Sequence, residues 1–277
     1  MAQSEQSEAV LIGGDAETAS AERMRRASSF GAVAAQYARH RPGYAEAAIR
    51  WCLAPAGDAR PPRVVDLGAG TGILAGALAR LGADVVAVEP DPEMLAELRR
   101  GLPEVRALEG SAEAIPLPDQ SMDAALCGQS LHWFDLDRAL PEIGRVLRPG
   151  GVLAGLWNVE DDRVGWVAEL AGITESRTTL SGWRQEPAAN SGPNVLAEGS
   201  DWFTPVEESE FDNEQLRTAD SLVAYIATTS RLLVMEEADR ARMLAAARDV
   251  LNNTPETSAG SFTMPQLTCG LRAVRRP

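Results

Sequence analysis

The stretch "VVDLGAGTG", residues 64–72, decides the fold. Its apolar start reads as a strand. Glycines at 68, 70 and 72 then bring the chain round a tight turn where backbone can approach a ligand that a side chain would strike. In the residues that follow, Ile73, Leu74, Ala77, Leu78 and Leu81 recur at helical spacing until Gly82 stops them. A second apolar strand, "ADVVAVE" (83–89), leads into "PDPEMLAELRRG" (90–101), where Asp91 takes the N-cap, Pro92 the first helical position and Gly101 the place just past the end. Strand, helix, strand, helix at this pitch predicts a parallel α/β sheet. Glu89 closes the second strand 21 positions after Gly68 (89 − 68), where a carboxylate can accept hydrogen bonds from ribose hydroxyls.

Two ligand classes use this architecture. The dinucleotide fingerprint G-x-G-x-x-G/A, counted from Gly68, needs a small residue at position 73, and that residue is Ile73. A nicotinamide-dependent oxidoreductase is therefore the disfavoured alternative. Working outward, "VRALEG" (105–110), "MDAALCGQS" (122–130) and "VLAGLWN" (152–158) read as further strands, with a loop over 111–121 and a helix over 135–151. The continuous apolar character of these strands fits a sheet covered on both faces. Upstream, residues 1–25 read as a mobile polar tail, and 28–53 as two short helices split by Pro42-Gly43. Downstream, 176–200 reads as a long loop, followed by a strand near 204–211, helices over 218–234 and 236–252, and a last strand over 261–274.

The form "D-L-G-A-G-T-G" resembles the first motif of class I methyltransferases. The likeness extends through "FGAVAAQYARHRPGY" (30–44), "VVAVEPDPEML" (85–95), "GSAEAIPLPDQSMDAALCGQSLHWF" (110–134) and "EIGRVLRPGGVL" (142–153), so the chain is identified as similar to the UbiE-like, methyltransferase-11 group of small-molecule methyltransferases. The resemblance implies a Rossmann-like α/β fold: a mostly parallel seven-stranded sheet with helices on both faces and an antiparallel C-terminal strand. It implies one domain over 26–277, with a helical lid at 28–50, a cofactor-binding core at 60–158 and substrate-side helices and closing strands at 159–277. S-adenosyl-L-methionine is the implied cofactor. Asp66, Gly68, Ala69, Gly70 and Gly72 would form its loop, Glu89 would hold its ribose, Pro90 and Met94 would lie against adenine, and Ser111, Ala112 and Glu113 would meet the adenine edge. Gln129 would meet the methionine part, and Tyr37 and Arg41 its carboxylate end. His132, Trp133 and Trp157 would face the acceptor. His132 is the candidate catalytic base, since imidazole can take up a proton near neutral pH, and a plain structural role for it stays open.

Composition narrows the partners. The net charge of −14 repels polyanions, which disfavours nucleic acid and anionic membranes, and all 26 basic residues are arginines, which excludes lysine Schiff-base chemistry. Cys52, Cys127 and Cys269 are too scattered for a zinc site, so no metal is expected. The start lacks a signal-peptide pattern and no long apolar run occurs, which together suggest a cytoplasmic protein, monomer or homodimer, acting on a small molecule. A non-catalytic member of the same fold is the second alternative; the intact glycines and Glu89 weigh against it.

Overall fold

A computed structural model describes residues 34–57, 60–185 and 201–277. The expected tail at 1–25 and the start of the first helix at Ser28 or Ser29 lie outside them. The strands are β1 (Arg63–Leu67), β2 (Asp84–Glu89), β3 (Arg106–Glu109), β4 (Met122–Gly128), β5 (Leu147–Glu160), β6 (Glu207–Asp212), β7 (Gln215–Thr218), β8 (Ser261–Met264) and β9 (Gln266–Val274). Seven of them form one sheet in the order β3-β2-β1-β4-β5-β9-β6. β1 to β5 run parallel, and β9 is antiparallel to both β5 and β6, as the resemblance implied.

The sheet is buried on both faces because its strands alternate their apolar residues between two cores. Val65, Leu67, Ala125, Cys127 and Leu153 face one side, packed with Ala139, Ile143 and Val146. Val64, Ala124, Leu126, Val152 and Leu156 face the other, packed with Ala48, Ile49, Leu74 and Leu78. The helices up to this point are α1 (Ala34–His40), α2 (Glu46–Leu53), α3 (Ile73–Arg80), α4 (Pro92–Gly101) and α5 (Leu136–Val146), and α2, α3 and α5 supply these partners. Asp91 caps α4 as expected, its side chain accepting from the Glu93 and Met94 N–H groups at 2.9 and 3.0 Å. Gly101 is the last residue of α4 rather than the one beyond it. α5 ends at Val146, earlier than the expected 151, because Leu147 already pairs with Met122 at the start of a bulged β5.

Beyond β5 the chain builds a third core. α6 (Gly165–Thr174), α7 (Leu180–Gln185), α8 (Ala219–Ile226), α9 (Ser230–Leu233), α10 (Glu237–Asn253) and α11 (Pro255–Ser258) follow. Trp166, Leu170, Leu222, Ile226, Leu251, Phe262 and Met264 from this region pack together as a cap. Three expectations change here. The loop expected over 176–200 contains α7 after a short irregular stretch at 176–179, and 186–200 lie outside the described residues. The single helix expected over 218–234 breaks between α8 and α9, where Thr228 and Thr229 turn their hydroxyls back onto the Tyr225 and Ile226 carbonyls at 2.7 and 2.8 Å. The last strand divides at Pro265, which has no N–H for a ladder: β8 pairs with β7 in the cap while β9 joins the main sheet.

Candidate active site

The sheet order reverses direction between β1 and β4, and in an open α/β sheet a ligand binds beyond the strand ends at that point. There the three loop glycines have different tasks. All have positive φ: 64° at Gly68, 55° at Gly70 and 87° at Gly72. A Cβ at Gly68 would lie 2.7 Å from Cβ of Ser130, and one at Gly72 would lie 2.7 Å from Leu102 and 2.9 Å from Leu98, so both are packed against protein. Only Gly70 faces open space, with nothing within 4 Å. Expected close approach to a ligand thus narrows from three glycines to one.

Glu89 fixes this loop. It is buried, and its carboxylate accepts from the Gly70 N–H at 2.7 Å and from the Asp91 N–H at 2.9 Å. Each oxygen keeps a further lone pair for a ligand hydroxyl. Burial pushes the Glu89 carboxyl above the usual range, and the two N–H groups counter that in part. Below the loop, Asp66 is fully buried, with neither oxygen in a hydrogen bond of normal geometry; the hydroxyl of Thr71 is likewise unpartnered. Burial raises the Asp66 pKa to about 8, only partly offset by the nearby Ala75 N–H and further raised by Glu89. An open glycine, a carboxylate presented at the strand end and unspent polar atoms beneath them suit a ribose-bearing cationic cofactor.

The neighbouring residues fall around this point. Pro90 is exposed and Met94 is 3% exposed beneath it at the start of α4. Ser111 pairs with Ala114 in a short bridge, and Ala112 is buried between them. Glu113 has an occupation the sequence did not show: Oε1 accepts from the Asp135 N–H at 2.9 Å, tying the β3 loop to the start of α5. Gln129 stands at φ 51°, a left-handed conformation rare for a glutamine, and its side chain donates to the Asn158 carbonyl at 3.3 Å. Such strain tends to gather at functional sites. Ala69 is buried, its N–H bonded to the Val88 carbonyl.

His132 and Trp133 lie in a short 3-10 turn, Leu131–Trp133, with their rings 4.6 Å apart. The Trp157 indole N–H donates to His132 Nδ1 at 3.3 Å. Indole has no acceptor, so this bond assigns the neutral imidazole proton to Nε2. His132 is thereby set as a donor at Nε2, and a base role would require Trp157 to release Nδ1. Trp157, expected to face the acceptor, is 3% exposed and packs on Trp183 at 5.2 Å between ring centres, so in this structure it meets His132 from the core side.

At the front, Gly43 and Tyr44 cross the strand ends. The Gly43 carbonyl accepts from Asn158 Nδ2 at 3.0 Å and Asn213 Nδ2 at 2.9 Å, while the Tyr44 hydroxyl abuts Gly128. Arg41 does not turn toward the glycine loop. It donates to the Thr228 carbonyl at 2.9 Å and lies 5.2 Å from the Tyr225 ring centre, on the cap side. The Tyr37 side chain lies outside the described residues, although its backbone belongs to α1. Asn158, Asn213 and Tyr44 escaped the sequence reading, because no local pattern marks residues that meet across 55 and more positions of chain. A cavity of about 400 Å³ lined by Asp162, Glu175, Arg177 and Arg231 includes none of these residues. Among the described residues no cluster could hold a metal ion and no helix is long and apolar enough to cross a membrane.

The strand order and the glycine loop with its strand-end glutamate define a class I methyltransferase. The profile described as "Methyltransferase domain" matches residues 65–155. An uncharacterized methyltransferase of Mycobacterium bovis is 39% identical over 253 residues, covering 88% of this chain and 95% of the relative. A demethylmenaquinone methyltransferase of Chlorobaculum tepidum is 40% identical over 94 residues, 33% of this chain and 39% of that one. A structure described as a type II methyltransferase candidate from Anaeromyxobacter dehalogenans superposes with a TM-score of 0.56 at 28% identity, covering 85% of this chain and 96% of that one. The chain belongs to the S-adenosylmethionine-dependent methyltransferase family. It is an enzyme, and S-adenosylmethionine is its cofactor.

Proposed function

We propose that the protein methylates an O, N, S or C nucleophile of a small molecule bound between the glycine loop and the cap. The observation that carries this is the Gly70–Glu89 bond at the switch point, where Gly70 alone of the three loop glycines has open space over it. When bound, S-adenosylmethionine supplies an electrophilic methyl group on a sulfonium. In this reading Glu89 accepts from the ribose hydroxyls, Gly68, Ala69, Gly70 and Gly72 form the cradle, and Asp66 supports it from below. Pro90, Met94, Ser111 and Ala112 border the adenine, with Glu113 holding their loop to α5. Gln129 orients the methionine end, and Tyr37 stays assigned there through the resemblance.

His132 and Trp133 face the acceptor. With Nε2 protonated, His132 orients an acceptor by donating, and holding the nucleophile in line with the methyl does most of the work; such positioning can supply about 7–11 kcal/mol. The three cysteines, buried and free, fit a reducing compartment, and we assign the protein to the cytoplasm as a monomer or homodimer.

The test mixes purified protein, methyl-labelled S-adenosylmethionine and size-fractionated extract of its own host. Protein-dependent label is expected in the low-mass fraction. Label on protein or nucleic acid would overturn the small-molecule reading.

A further inference from the structure

The cap carries a cation that nothing among the described residues fully compensates. Arg217, on β7, is half-buried, and its guanidinium lies 5.5 Å from the Tyr225 ring centre. No carboxylate and no hydrogen-bond acceptor is paired with it among the described residues, whereas Arg145, Arg148 and Arg272 each hold a carboxylate at 2.6 or 2.7 Å. Burial depresses the Arg217 pKa, with only Tyr225 acting the other way. A guanidinium drawn partly out of water and matched only by an aromatic face lacks the oxyanion partner its planar fork fits.

Arg41 approaches the same ring, 5.2 Å from its centre. Glu160, at the end of β5, feels the Arg41 charge, but burial raises its carboxyl to about 7 and leaves it only partly ionised near neutral pH, so it balances the two guanidiniums on this ring only in part. The pair is joined to the proposed methyl-transfer site by a short chain of contacts. Arg41 is two residues from Gly43, whose carbonyl is held by Asn158, whose own carbonyl is held by Gln129. In a chain of net charge −14, a half-buried cation with no carboxylate partner among the described residues marks a place for an anion.

We infer that Arg217, with Arg41 across the Tyr225 ring, forms an oxyanion subsite, and that the methyl acceptor carries a carboxylate or phosphate group held there while another part of it meets the methyl. This rests on the methyltransferase reading of the cleft and adds the class of acceptor to it.

The test follows the arginine Nε–H signals of the full-length, ¹⁵N-arginine-labelled protein, saturated with S-adenosylhomocysteine, while malonate or inorganic phosphate is added at constant ionic strength. The Arg217 signal is assigned by its loss in R217K. Saturation at Arg217 is expected at a concentration at least about tenfold below that needed at exposed Arg106 on β3, the scale of a charge-assisted bond. Tighter response to malonate assigns a carboxylate acceptor and tighter response to phosphate a phosphorylated one. Equal responses at Arg217 and Arg106 to both anions would overturn the subsite. Calorimetry with S-adenosylhomocysteine separates the two readings: R217Q should bind it as the wild type does. Loss in R217Q alone would move Arg217 to the cofactor and overturn the acceptor assignment, while no binding by the wild type would strike the methyltransferase reading itself.

Discussion

Gly68 and Gly70 share a positive φ and differ in what surrounds them, so substitutions there separate folding from binding. Gly68→Ala brings a Cβ to 2.7 Å from Ser130, whose hydroxyl holds the Leu67 carbonyl, and should lower the melting temperature clearly. At Gly70 an added Cβ meets no protein atom within 4 Å, so beyond a conformational penalty of about 1–3 kcal/mol the loss in Gly70→Val should appear in S-adenosylhomocysteine affinity by calorimetry. Equal thermal damage in both would contradict this division. Glu89→Ala should weaken the same ligand by about 1.5–3 kcal/mol, the scale of hydrogen bonds to a charged group; unchanged affinity in a folded variant would remove Glu89 from the site. Asp66 makes a pH prediction. Its pKa, raised to about 8 by burial, means that the folded state favours the neutral acid. That contribution is complete below the unfolded value near 3.8 and is lost as pH rises through about 8. Melting curves should therefore show wild-type stability falling relative to Asp66→Asn as pH climbs through this window.

At the scale of elements, the crossing of Gly43 and Tyr44 over the sheet is held by two side-chain amides, Asn158 and Asn213, with Asn158 at the centre of the network. Asn158 donates to the Gly43 carbonyl, while its own Oδ1 accepts from Asn213 at 2.9 Å and Thr268 at 2.7 Å; Thr268 in turn accepts from the Ala45 N–H at 3.0 Å. Asn158→Ala would leave the buried Thr268 hydroxyl and one Asn213 N–H without their acceptor, at about 1–3 kcal/mol each before relaxation, and would remove one of the two amides that hold the Gly43 carbonyl. We expect faster hydrogen exchange at 41–45 with the glycine loop unaffected in the free protein, and exchange that stays slow there would show that packing alone holds the segment. The same segment, with α1 lying against both α4 and α8, should gain protection on adding S-adenosylhomocysteine. If only the glycine loop gains protection, the front is static.

At the scale of the whole molecule, the end of the sheet opposite the site is held by Asp123. Its side chain is 2% exposed and meets Arg60 and Arg148 at 2.7 and 2.6 Å and the Arg63 N–H at 2.8 Å, joining β1, β4 and β5. Although burial opposes it, the hydrogen bonds from Arg60, Arg63 and Arg148 lower the Asp123 pKa to about 2. The stabilisation is therefore present above the unfolded value of 3.8 and is lost as pH falls through about 2. Because both arginines are partly exposed and screened, Asp123→Asn should cost about 2–3 kcal/mol at neutral pH, below the range for fully buried pairs. Denaturant curves at pH 7 and in acid check this; a variant difference that persists undiminished near pH 2 would exclude the ionic origin.

The sequence alone determined the βαβα core, the nucleotide-like ligand and Glu89, because each is local. A strand, a turn and a cap are written within a few residues, and 21 positions suffice to place Glu89 at the next strand end. Position 73 separated the ligand classes for the same reason. Tertiary structure decided the rest. Whether a loop glycine faces Ser130, Leu98 or open space depends on elements 26 to 62 residues away, and the Trp157 bond that places the proton of His132 joins positions 25 apart. The turn of Arg41 toward Thr228, 187 residues on, and its meeting with Arg217 on one tyrosine ring depend on where the cap core settles. That is fixed by burial of Trp166, Leu222 and Phe262 together, a non-directional force that leaves no short-range pattern in the chain.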